Sequence, residues 1–195
     1  MCIRAICLHL GTILNSLMRI IRSEFASRWD KVFSTRAGSV EPAVAITLGI
    51  GNSITAVELL AADTIRSWAM KVVLDLYKTH DLTIIATPTL PMLPPELREA
   101  AKMNGESDTG LTVEVMKYIF LANFLGMPGY SIPVGFGIHE KTGESLPIGF
   151  HMLGRHWGEA ELFRVANAIE QMRDFSKQYP KDGIMMPKYF IDSLS

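Results

Sequence analysis

An α/β fold is the prediction for this 195-residue sequence, and three observations support it. Several stretches repeat apolar residues at helical spacing. Three short runs are apolar or β-branched and are bounded by Pro, Gly and other turn residues. The two kinds of element are interspersed along one chain, with no internal repeat. Hydrophobic residues at 48% and charged residues at 20% exclude disorder.

The first element is an amphipathic helix over residues 8–33, with Leu10, Ile13, Leu14, Leu17, Ile20 and Ile21 at helical spacing. Packing of that face into a core is the simpler reading. Arg19, Arg22, Arg28 and Lys31 also make the helix compatible with peripheral membrane contact. Its apolar runs are too short to span a bilayer and lack the long core and cleavage site of a signal peptide. Residues 36–51, with Gly38, Pro42, Gly49 and Gly51, read as a connection. Thr55 and Glu58 then have the spacing of a capping box, opening a helix that runs to Tyr77. Its apolar positions are Val57, Leu60, Ile65, Trp68, Val72 and Leu76.

Asp81 to Thr87 reads as a buried strand stopped by Pro88, followed by a loop with Pro91, Pro94 and Pro95 and a turn at Asn104 and Gly105. A single helix is expected over residues 112–125, ended by Gly126 and Pro128. Tyr130 to Phe136 and Leu146 to Leu153 read as strands joined through residues 139–145. Glu159 to Met172 completes the set as a helix with Leu162, Val165, Ala166 and Ile169 on one face. The expected organisation is an N-terminal helical region (1–35), a main domain (36–175) and a loosely packed tail (176–195).

Charge narrows the function. Lys and Arg number 19 against 20 Asp and Glu, so no net field favours nucleic acid. Cys2 and Cys7 form no disulfide framework and fit a reducing, cytoplasmic setting. No metal or cofactor is expected. The five histidines, His9, His80, His139, His151 and His156, lack the i, i+4 ligand spacing with a carboxylate. Gly49 and Gly51 lack the third Gly and the Lys of a phosphate loop. Glu159 and Glu161 are helix-start charges rather than an acid pair. No Gly-x-Ser-x-Gly is present, and no serine sits in a run of glycines suited to an oxyanion hole. The residues alone therefore show no complete catalytic constellation.

Three ordered segments nevertheless carry a likeness: Ile84-Ile-Ala-Thr-Pro-Thr89, Phe120 through Gly135, and Leu146 through Ala160, continuing to Glu170. Together they resemble the C-terminal part of the amidase signature family. The Asn-Gly-Glu triplet at 104–106 and Trp157 make the chain most similar to the fatty acid amide hydrolase branch. The resemblance implies a partial amidase-signature fold, a mixed β-sheet flanked by helices, with only the C-terminal part present. It also implies the family's chemistry, in which a Lys acts through a cis-peptide Ser to activate a second Ser. That serine attacks an amide carbonyl and forms an acyl-enzyme. In the family these groups lie N-terminal to the matched region, and none can be carried onto a residue here.

Five positions follow as substrate-binding candidates. Thr87 and Thr89 flank Pro88 at a strand end, where α/β sites usually lie. Met116, Phe120 and Asn123, spaced by four and three, share one face of the expected 112–125 helix and are candidates for an acyl-channel wall. Ordinary core is the simpler reading of Met116 and Phe120, and backbone bonding that of Asn123. The leading expectation is a chain that contributes pocket wall to an amide hydrolase and is inactive alone, acting with a complementing chain or as a homo-oligomer. The alternative is a non-catalytic binding or interaction module derived from the fold. A slight apolar excess, with strands whose neighbours are not all evident, also predicts poor stability of the isolated chain.

Overall fold

The structure is a computed structural model that describes residues 9–36, 38, 40–105 and 108–172. Cys2, Cys7, Glu106 and the expected tail lie outside the described residues. The chain divides into two compact units, Met1–Leu162 and Phe163–Ser195. The first contains most of the described elements, in the order α1 (Leu10–Arg36), α2 (Pro42–Ser53), α3 (Ala56–Thr79), β1 (Ile84–Pro88), α4 (Glu99–Asn104), α5 (Thr109–Met116), α6 (Phe120–Leu125), β2 (Gly129–Ile138) and β3 (Ser145–Gly154). The last helix, α7 (Glu159–Met172), crosses the division.

Helix α1 buries Ile13, Leu14, Leu17 and Ile20, four of its six expected apolar positions, and Leu10 packs against the same core. Its basic side is partly used, since Arg19 pairs with Glu58 at 2.6 Å. The expected connection over 36–51 is corrected: Pro42 opens a helix there. Proline suits the first helical turn, where its missing N–H is not needed. Gly51 is likewise a packing residue and not a breaker. A Cβ at this position would stand 2.3 Å from the Arg22 carbonyl and 2.8 Å from the Ala26 Cβ, so only glycine lets α2 approach α1 this closely.

The capping box of α3 is formed. The Glu58 amide donates to the Thr55 hydroxyl (3.2 Å) and the Thr55 amide donates to the Glu58 carboxylate (2.9 Å). The buried face of α3 is Ala62, Ala69, Val73, Leu76 and Tyr77. Val57 and Leu60, expected inward, are 76% and 66% exposed. The buried face joins α1 and α6 in one core that includes Phe120, Phe124, Leu125, Met127 and Leu153. Full burial of an aromatic such as Phe120 contributes about 1.5–3 kcal/mol. No single helix among the described residues is long and apolar enough to cross a membrane. Only α2 and α3 together reach that length and hydropathy, and they are bent by 96°.

The single helix expected over 112–125 is two helices. Asp108 caps α5 by accepting from the Leu111 amide at 2.9 Å. At the break, the Lys117 and Ile119 amides donate to the carbonyls three residues back, in a tighter turn than an α-helix. No Pro or Gly marks that break in the sequence. Helix α6 ends at Gly126, as expected.

The three strands form an antiparallel sheet in the order β1-β3-β2, so the α/β architecture holds. Strand β1 is half-exposed rather than buried and pairs only with β3 among the described strands. Pro88 lies within it, opposite Phe150, as the position of an edge strand permits. The β2–β3 hairpin closes through His139 N–H to Glu144 O (2.8 Å), with a bulge between Pro133 and Gly135. Leu162 and Ala166 of α7 are buried, and Val165 and Ile169 partly so, as the expected face requires.

Candidate functional site

The sheet register brings two distant segments together. Thr87 of β1 and Ser131 of β2 both pair with His151 of β3. Opposed residues in an antiparallel ladder share a face, and so do residues two apart on one strand. Thr87, Ser131, His151 and Gly149 therefore lie on one face. Thr89 joins them just past β1, where its amide donates to the Gly149 carbonyl at 2.9 Å. The same face continues in the other direction to Ile85 and Leu153, which belong to the helix-covered core or pack on it. The row thus begins under the helices and emerges toward solvent.

Its geometry follows that gradient. His151 is only 6% exposed, with Nδ1 3.4 Å from the Thr87 hydroxyl, a long contact. Burial pushes the imidazole below its ordinary value of 6.5, so the neutral form is favoured. Further out, the Thr89 and Ser131 hydroxyls stand 2.5 Å apart. Ser131 is exposed and Thr89 half-buried. The missing side chain at 149 makes this pair possible, because a Cβ there would be 2.5 Å from Thr89 Oγ1 and 3.3 Å from Ser131 Oγ.

The sheet is fixed to α3 beside this row. The buried Tyr77 hydroxyl donates to the Leu153 carbonyl at 2.5 Å, and burial pushes its pKa up to about 12. Arg155 stands 5.9 Å from the Tyr77 ring centroid. Its guanidinium also donates to the Leu82 carbonyl (2.8 Å from Nε) and pairs with Asp81 at 3.3 Å. These contacts hold the start of β1 against the end of β3, so Thr87 and His151 meet in a defined register.

The five sequence candidates separate. Thr87 and Thr89 are brought together, with Ser131 and His151 beside them. Met116, Phe120 and Asn123 do not share one helix face, because the helix breaks between Met116 and Phe120. Phe120 is 1% exposed and lies in the core, Met116 is half-buried against that core, and Asn123 is exposed. Ser131 and His151 were not among the candidates. Period-2 alternation reveals their faces, but the register that joins them to Thr87 is a long-range property. Among the described residues, no three His, Cys, Asp or Glu side chains are grouped to hold a metal ion.

Comparison with known proteins agrees with the resemblance. Residues 2–163 match the family model described as Amidase. A fatty acid amide hydrolase of Medicago truncatula is 38% identical over 134 residues, 69% of this chain and 21% of that protein. The fatty acid amide hydrolase of Arabidopsis thaliana is 35% identical over 132 residues, 68% of this chain and 21% of that protein. The chain thus spans about a fifth of the length of these relatives. Among solved structures, a bacterial aryl acylamidase of the amidase signature family superposes with a TM-score of 0.68 at 18% identity, over 87% of this chain and 35% of that one. The fold, the three ordered motifs and the family model converge, and the chain belongs to the amidase family.

Proposed function

We propose that this chain supplies the substrate side of an amide hydrolase acting on fatty acid amides and carries no nucleophile of its own. The observation that carries this reading is the meeting of the Thr87-Pro88-Thr89 turn with β2 and β3, in a chain 38% identical to a fatty acid amide hydrolase over 134 residues. The hydroxyls of Thr87 and Thr89 face the substrate. Phe120 and Met116 support that wall from the core, and Asn123, exposed on α6, is a further contact for substrate. The activated serine, the serine that bridges to the base and the lysine come from a complementing part of the fold. In that division the chain positions and orients the acyl compound, a contribution to rate that depends on geometry rather than on its own acid or base.

The test is a chimera. Residues 36–172 replace the matching stretch of the Medicago truncatula relative, and hydrolysis of a long-chain primary fatty amide is followed. Retained hydrolysis, lowered by Thr87→Val in the chimera, is the expected outcome. A folded chimera without hydrolysis contradicts the proposal and favours a binding module derived from the fold.

A further inference from the structure

The Thr89–Ser131 hydroxyl pair can do more than the reading above asks of Thr89 alone. At 2.5 Å one hydroxyl donates to the other. The accepting hydroxyl keeps its own O–H, and lone pairs remain on both, so the pair offers one donor and acceptors to a further group. Ser131 is exposed, and Gly149 puts no side chain over the pair. The residues in register beside it are Thr87, Pro133, Gly149 and His151. None carries a fixed charge, and His151 is held neutral by burial.

We propose that the Thr89–Ser131 pair is a subsite for the uncharged polar head of an acyl compound, an amide or a hydroxyl, and that it disfavours the matching carboxylate. The inference rests on the proposed function and adds head-group selection to it. A neutral amide both donates and accepts, which matches the pair. A carboxylate only accepts, so it leaves the acceptors of the pair unused, and the residues in register on this row offer it no cation. The same subsite therefore favours an amide substrate over the fatty acid that its hydrolysis releases.

The test is binding of decanamide and decanoate to the purified chain, read by ligand-observed NMR at neutral pH. Decanamide is expected to bind about tenfold more tightly than decanoate, the difference of about one well-made hydrogen bond. Ser131→Ala and Thr89→Val should each remove most of that preference. Thr89→Ser, which keeps the hydroxyl, should retain it. Circular dichroism identifies any variant that has lost its fold. Equal binding of the two compounds, or a preference indifferent to both hydroxyl deletions, overturns the subsite but leaves hydrolysis by the chimera intact. Absence of binding by either compound also overturns it, and the chimera then reports separately whether the broader reading survives.

Discussion

Gly149 leaves open the space that the Thr89 side chain occupies: a Cβ on residue 149 would stand 2.5 Å from Thr89 Oγ1 and 2.8 Å from its Cβ. Gly149→Ala must therefore displace the turn after β1 or the strand itself. Overpacking of this kind costs about 1–3 kcal/mol. Urea denaturation is expected to show a lower midpoint with an unchanged slope. An unaltered midpoint would mean that the turn moves aside freely and that the hydroxyl pair is not held.

Tyr77 ties α3 to the sheet through the Leu153 carbonyl. Tyr77→Phe keeps the ring and its packing but leaves that buried carbonyl without this donor. The expected loss is about 1–3 kcal/mol in equilibrium unfolding. A neutral substitution would show that water replaces the hydroxyl.

Phe120 and Asn123 separate core from surface on α6. Phe120→Ala is expected to cost about 3–5 kcal/mol, and Asn123→Ala about 0.5 kcal/mol or less. Thermal melts of the two variants make the comparison. Similar losses would contradict the separation of the two positions.

His151 gives stability a pH dependence of known sign. Burial depresses its pKa in the folded chain, whereas the unfolded chain takes up a proton near the ordinary 6.5. As pH falls below that value, the unfolded state gains the proton first. The contribution of His151 is therefore full above 6.5, is lost as pH falls toward the folded-state value, and levels off below it. Urea midpoints measured from about pH 7.5 to about pH 5 should decline, with a shallower decline in His151→Asn. An equally steep decline in the variant would assign the effect to other groups.

Local signals were legible and long-range ones were not. The Thr55–Glu58 box, the hairpin between β2 and β3 and the inward face of α7 each depend on residues a few positions apart, and each stands as read. Pro42, Gly49 and Gly51 look like breakers in the sequence, yet Pro42 starts α2 and Gly51 makes its contact with α1. Val57 and Leu60 have helical spacing, yet they extend the pattern onto an exposed part of α3. The site was half visible. Thr87 and Thr89 lie in a motif, but Ser131 and His151 join them only through a register set across 64 residues of sequence separation between Thr87 and His151.

The division of labour within the amidase fold is tested most directly by treating the folded chain with a fluorophosphonate probe, which labels activated serine nucleophiles. No labelled serine is expected, alongside no hydrolysis of a fatty amide by the chain alone. Stoichiometric labelling of one serine would place an active nucleophile within these 195 residues and contradict a purely substrate-side role.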